Sequence, residues 1–229
     1  MLQLIDKKKK IFIYLFFLLF LTTFNNLSLS NSEHLKLKIN QIKVSGLNNE
    51  SNLKISREFN QLLYQKNIFF INKDYFLNIL EKNNLIHSFK VRKIYPNSIE
   101  VQIKKTEFLA VTNRNNKKFF IGSNGKLINF ESSNKSLPYI FGKIKIEDFI
   151  KFKKIITKSK FNFEEISELF FFPSGRWDIK SNEGILIKLP ETNLLNALNL
   201  AYRITINEKF KNDKVIDLRI YNHVISTNE

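Results

Sequence analysis

The stretch Lys90–Ala110, KVRKIYPNSIEVQIKKTEFLA, alternates apolar and polar residues on both sides of a Tyr-Pro-Asn-Ser break. Side chains on a strand alternate faces with a period of two, so this pattern predicts a β-hairpin. Phe89 and Val91 mark one face of a strand. Pro96-Asn97 make the turn, and Ile99, Val101 and Ile103 mark the buried face of the returning strand. Ser98, Glu100, Gln102 and Lys104 point the other way. A one-sided sheet needs a cover, and the residues just upstream supply one.

NLKISREFNQLLYQKN places Leu53, Ile55, Phe59, Leu62 and Leu63 at helical spacing. FFINKDYFLNILEKNN offers Asn72 as an N-cap, Asp74 in the first turn, and Phe76, Ile79 and Leu80 on one face. INQIKVSG, ahead of both, reads as a strand ending at Gly46. The order over about 70 residues is β-α-α-β-β. Beyond Thr106 short strands dominate: Phe108–Asn113 and Lys117–Ile121 flank the turn RNNK, and SNGKLI, SLPYIFG, RWDIKS, ILIKLP and KVIDLRIYNHVIS follow. Helices are expected at Glu147–Thr157, at Glu164–Phe170, and from Asn193 to about Phe210 with Thr192 as cap. The last would carry Leu194, Leu195, Leu198, Ala201 and Tyr202 on one side.

At the N-terminal end, four lysines, Lys7–Lys10, precede the apolar run Ile11–Phe24, and no charge follows until Glu33. A basic block before an apolar run orients it with its N-terminus in the cytoplasm and the rest exported. The strongly apolar part has the length of a signal-peptide core and is short for a span of about 20 residues. Extension through Leu29 includes Asn25 and Asn26, and Ser28-Leu29-Ser30 is a possible cleavage site. Both a retained anchor over 11–29 and a cleaved leader fit these residues. The anchor is the reading adopted.

The formal charge of +16 invites a nucleic-acid reading. Yet the basic residues are 31 Lys against 6 Arg, scattered along the chain, and recognition of phosphate and base edges favours Arg forks. Export also places the bulk away from DNA. No cysteine is present, which removes disulfides and thiol chemistry, and His34, His87 and His223 form no metal-binding spacing. Three Ser-x-x-Lys strings, at Ser51, Ser123 and Ser132, are about what this Ser- and Lys-rich composition gives by chance. Their β-lactamase-type companions are absent, as are phosphate-loop, Gly-x-Ser-x-Gly and His-Glu-x-x-His motifs. Adjacent acids such as Glu164-Glu165 do not face each other on a helix, and Trp177 reads as strand-face packing. No catalytic residue, cofactor site or metal site is expected, and no small-molecule substrate.

The order of features resembles the FtsQ/DivIB family of bitopic bacterial cell-division proteins. The resemblance rests on INQIKVSGL, on NIFFINKDYFLNILEKNNLIHSFKVRKIYPNSIEVQI, on LPYIFG, on RWDIKSNEGILIKL and on VIDLRIYNHVI, and covers about residues 37–226. The family's usual Glu-Arg-x-Pro-x-Ala after the hairpin is here Lys105-Thr106-Glu107-Phe108-Leu109-Ala110, keeping only the Ala. Gly122 stands where an Asp is common, and Ile220 where an aromatic is. The resemblance implies an α+β chain: an N-terminal transmembrane helix, a β-α-α-β-β POTRA-like domain, then a mixed β-rich domain with helices on one face. The corresponding segments are a cytoplasmic tail (1–10), anchor (11–29), linker (30–36), POTRA-like domain (37–105) and C-terminal domain (106–229).

The implied role is a non-enzymatic divisome scaffold in the inner membrane at the septum, its bulk periplasmic. It would link other membrane-anchored division proteins, FtsB- and FtsL-like, and help regulate septal peptidoglycan synthesis. The second reading is a periplasmic POTRA-type chaperone or transport accessory. An edge strand can accept a partner segment by β-augmentation. The residues expected to do so are Ile220, Tyr221, Asn222, Val224 and Ile225, beside Arg219, with Arg176 as an ionic anchor.

Overall fold

In a computed structural model of the chain, the described residues are 7–24, 37–130, 136–210, 212–220 and 223–228. Two compact units emerge: Met1–Leu77 with Lys90–Gln102, and Asn78–Phe89 with Ile103–Glu229.

Helix α1 (Lys7–Phe24) follows from the lysine block and the apolar run. Its described apolar residues are exposed all round, from 46% at Phe20 to 80% at Phe12. No helix among the described residues is long and apolar enough to cross a membrane. The expectation of a spanning helix is therefore corrected for residues 11–24, and 25–29 of that expected span lie outside the described residues. The described helix begins in charged lysines and runs to Phe24. At 1.5 Å per residue its apolar run Ile11–Phe24 reaches only about 21 Å, against a hydrocarbon core of about 30 Å.

In the first unit, β1 (Gln41–Ser45) leads into α2 (Asn49–Leu63). The Asn48 side chain caps α2 by accepting from the Ser51 N–H, which satisfies one of the orphan donors of the first turn. Ile55, Phe59 and Leu63, spaced by four, form the buried stripe of α2. The Phe59 ring packs 5.1 Å from that of Phe76 on α3 (Asp74–Leu80). Burying each such aromatic against solvent is worth about 1.5–3 kcal/mol. The turn into α3 differs from expectation in one detail. The backbone carbonyl of Lys73, not the Asn72 side chain, opens the helix by accepting from Phe76 and Leu77.

The hairpin is β2 (Ile86–Ile94) and β3 (Ser98–Lys105), and the three strands order β1-β3-β2. β1 runs parallel to β3, pairing Ile42 with Ile99 and Val44 with Val101. A parallel neighbour requires a crossover, which the intervening helices provide. Ile99, Val101 and Ile103 are buried, as their spacing predicts.

The second unit is built on a nine-stranded sheet, order β12-β11-β10-β9-β8-β7-β4-β5-β6. β4 (Phe108–Arg114) and β5 (Lys117–Gly122) form a hairpin whose turn residues Asn115 and Asn116 have φ of 51° and 58°, a conformation Asn tolerates well. β6 (Leu127–Asn129) and β7 (Tyr139–Phe141) follow. Then come α4 (Ile146–Lys158), β8 (Ile166–Phe171), β9 (Trp177–Ser181) and β10 (Leu186–Lys188). The chain closes with α5 (Leu194–Thr205), β11 (Val215–Asp217) and β12 (Ile225–Thr227).

One face of the sheet carries the register row Ile140, Leu169, Ile179, Ile187 and Ile216. Phe149, Phe152 and Ile156 of α4 and Ala197, Leu198, Ala201 and Ile204 of α5 join it in one core. Both helices thus cover the same face. Trp177 is 3% exposed and stacks on Phe152 at 4.6 Å. Two expectations fail here. Glu164–Phe170 is not a helix: a 3-10 turn at Phe163–Glu165 leads into β8, which lies between β7 and β9. The cap of α5 is not Thr192 but Asn193, at φ 58° with no side-chain bond.

Hydrogen bonds tie the segment from Thr106 to Asn124 to the start of β2. Ser123 Oγ lies 3.1 Å from Thr106 Oγ1 and 3.2 Å from His87 Nδ1, and accepts from the Glu107 N–H. The Asn124 amide donates to the carbonyls of Asn84 and Ile86.

Candidate functional site

Asp178, Lys188 and Asp217 stand opposite one another on β9, β10 and β11, and Ile225 of β12 continues the row. They occupy the sheet face opposite the two helices, because each neighbours a core residue in its strand. The row continues in the other direction as Phe170 and Phe141, whose rings stack at 5.1 Å.

Arg176 donates to both Asp178 oxygens, Nε to Oδ1 at 3.2 Å and Nη2 to Oδ2 at 3.4 Å. Its guanidinium lies 4.2 Å above the Phe172 ring. Asp178 is 3% exposed. Burial raises its pKa above the ordinary carboxylate value, and Arg176, the Leu189 N–H and the charge of Arg219 offset part of that rise. Arg219 forks onto Asp217, with Nε 2.9 Å from both oxygens and a further bond from Nη2. The hydrogen bond from Arg219 holds the Asp217 carboxyl below its ordinary value, and the pair raises the pKa of Arg219. The charges of Arg176 and Arg219 therefore both act on Asp178. Each is already paired with its own carboxylate, which makes both structural ion-pair partners as well as candidate contacts.

The expected docking residues Ile220–Ile225 divide between a connection and a strand. The Asp217 side chain also accepts the Arg219 backbone N–H at 3.1 Å, an Asx-type turn that ends β11. The His223 N–H then bonds the Ile220 carbonyl at 3.1 Å as the chain reverses. Ile220 and Val224 are exposed in this connection, Ile225 alone of the expected residues lies in β12, and Tyr221 and Asn222 lie outside the described residues.

The direction of the free backbone groups follows from the ladder. Leu186 N–H bonds Lys214 O and Leu218 N–H bonds Lys188 O, so the Lys214 carbonyl and the Leu218 N–H at the two ends of β11 face β10, and Ile216 between them does the same. Val215 and Asp217 then face β12, and their partners Thr227 and Ile225 face back. Ser226 lies between those two, so by the alternation of the ladder its N–H and C=O face away from β11, where no strand among the described residues pairs with β12. Sequence reasoning missed Ser226, Asp178 and Lys188. The alternation in RWDIKS placed Asp178 opposite Trp177, but only the register shows what it meets.

A model of the FtsQ-type POTRA domain matches residues 37–105, and one of the FtsQ/DivIB C-terminal domain matches 110–219. Between 37 and 219 only residues 106–109 are unmatched. The chain belongs to the FtsQ/DivIB family of cell-division proteins.

Its relatives in that family include the cell division proteins FtsQ of Rhizobium radiobacter and Agrobacterium fabrum. Each is 28% identical over 134 residues, 57% of this chain, and the match spans 64% and 42% of the two relatives. FtsQ of Rhizobium meliloti is 28% identical over 118 residues, 50% of this chain and 38% of that relative. The chain thus covers about two-fifths to two-thirds of the length of these relatives. The major extracytoplasmic domain of DivIB from Geobacillus stearothermophilus aligns at TM-score 0.34 with 14% identity, over 44% of this chain and 92% of that one. By the two family models, the β-α-α-β-β unit matches an FtsQ-type POTRA domain, and the mixed sheet over residues 110–219 matches the family's C-terminal domain.

Proposed function

We propose that this FtsQ/DivIB member is a non-enzymatic, membrane-attached scaffold of the bacterial divisome, and that β12 is its docking strand. An extended segment of another membrane-anchored division protein, FtsB- or FtsL-like, adds to the sheet beyond β12 and thereby helps regulate septal peptidoglycan synthesis. Ser226 carries this reading: its outward N–H and C=O are the donor and acceptor that an incoming strand requires. Exposed Ile220, Val224 and Ile225 supply apolar contacts around that edge. Arg219, paired but 44% exposed in its side chain, offers a charged contact at the rim.

Attachment is assigned to α1. A helix apolar on every side has no stable place in water. The lysine stems can extend its reach by placing their ammonium groups among cytoplasmic headgroups. The tail, anchor and linker then precede a POTRA domain ending near 105 and a C-terminal domain beyond it, both on the periplasmic side of the inner membrane and concentrated at the septum.

Proline at an outward-facing edge position leaves the existing ladder intact. Ser226→Pro is expected to keep the fold and to abolish co-isolation of the FtsB-like partner from detergent-solubilised membranes. Thr227→Pro, which removes a donor facing β11, is expected to disturb β12 itself. Undiminished co-isolation by folded Ser226→Pro protein would exclude the augmentation reading.

A further inference from the structure

The POTRA unit has an aromatic pole at the point where the chain enters it. Leu37 and Lys38 are the first described residues after α1. The Leu37 carbonyl accepts from the Ile68 N–H at 3.0 Å, and Lys38 bridges to Asn67. The chain therefore enters beside the 3-10 turn Ile68–Phe70, which Asn67 caps through the Phe69 N–H. That turn buries Ile68 and leaves Phe69 56% and Phe70 81% exposed. The Phe69 ring stacks 5.2 Å from Tyr95, itself 55% exposed, next to Ile94 at 50%.

Four large apolar side chains held out together at one end of a small domain form a patch that solvent does not favour. Lysines flank it in the chain. Lys93 Nζ bonds the Phe69 carbonyl at 3.3 Å, and Lys66 sits 4.6 Å over the Tyr75 ring. Lys73 follows in the chain, with Asp74 as the opposing charge in the stretch from Tyr64 to Tyr75.

Aromatic rings with lysines at their rim suit the headgroup layer of an anionic bilayer, where the rings enter the interface and the ammonium groups meet phosphate. Reach permits it. Residues 25–36 separate α1 from Leu37, and fully extended they span at most about 40 Å. The pole is where that tether arrives. We propose that the Phe69–Phe70–Ile94–Tyr95 pole docks the POTRA unit on the anionic membrane surface beside its own anchor. This rests on the attachment of α1 to the membrane proposed above, and adds a second, peripheral contact to it.

The test uses the full chain in vesicles. Because the protein lacks cysteine, Asn72→Cys next to the pole can carry a polarity-sensitive fluorophore. Glu50→Cys, beyond the opposite end of β1, serves as the distant control. In phosphatidylglycerol-containing vesicles the position-72 label is expected to shift to the blue and to be shielded from an aqueous quencher, while the position-50 label stays unchanged. The shift is expected to vanish in pure phosphatidylcholine, in Phe70→Ser/Tyr95→Ser and in Lys66→Gln/Lys93→Gln, with circular dichroism unaltered and the chain still floating with the vesicles.

An unshifted label on chain that floats would overturn docking and leave α1 attachment standing. An equal shift in both lipids would overturn it too, since the lysines would then contribute nothing. A chain that does not float would overturn docking and attachment together. Persistence of the shift in both double variants would assign it to the label and reject the pole.

Discussion

At the scale of single residues, the outer face of the C-terminal sheet holds two aspartates with opposite electrostatic histories. Asp217 has a folded-state pKa below its unfolded value because Arg219 binds the carboxylate. Its contribution to stability is present above the unfolded pKa near 3.8 and is lost as pH falls through the folded value. Asp178 has a raised pKa because burial disfavours its charge. Its folded form binds the proton more readily, so above 3.8 stability falls as pH rises, until the folded pKa is passed.

Asp217→Asn is therefore expected to flatten the acid limb of the stability–pH curve below pH 4. Asp178→Asn is expected to remove the decline just above it. Urea titrations across pH 2–6 separate the two, and identical curves for both variants would contradict the assignment. The sequence marked Arg176 and Arg219 as the notable charges, through the strings RWD and DLR. It could not show that both act on Asp178, because that depends on strand register across β9, β10 and β11.

At the scale of elements, legibility followed local consistency. The hairpin Ile86–Lys105, the Asn115-Asn116 turn and the helices α2 and α4 were readable because propensity, period and turn chemistry agree there, although Leu53 and Leu62 of the expected α2 stripe are exposed. β8 was not. ISELFF carries Leu, Glu and Phe, which suit either state, and its buried residues Ile166 and Leu169 are spaced by three across a bulge. That spacing mimics a helix. What makes it a strand is its place between β7 and β9.

The β7–β8 pairing is tight where it ends. Gly142 has φ +105°, and a Cβ there would lie within 2.3 Å of the Phe171 carbonyl oxygen. Gly142→Ala is expected to cost about 2–4 kcal/mol, since the strands must part and the backbone is strained. Gly125 also has positive φ but open space around it, so Gly125→Ala should cost only about 1 kcal/mol. Equal losses in denaturant unfolding would show that the contact with β8 contributes nothing beyond backbone strain.

At the scale of the whole molecule, the order of features was the most legible property, since it needs only the sequence of hydrophobic periods and turns. The last strand shows what such a reading lacks. KVIDLRIYNHVIS looks like one long strand, and its apolar residues drew attention to Ile220–Ile225, yet β11 ends in an Asx turn at Asp217 and β12 begins only at Ile225. The free backbone of the edge consequently moves to Ser226.

The N-terminal helix poses the corresponding question of division of labour. If α1 serves only to attach the chain, an unrelated single-span anchor in place of residues 1–24 should restore septation in depleted cells. The same chain lacking an anchor should not. If the edge at Ser226 is where other division proteins join, the anchor-swapped chain carrying Ser226→Pro should stay membrane-bound and fail to restore septation, leaving filaments under the microscope. Filaments from the anchor swap alone would mean that α1 itself makes contacts within the division machinery.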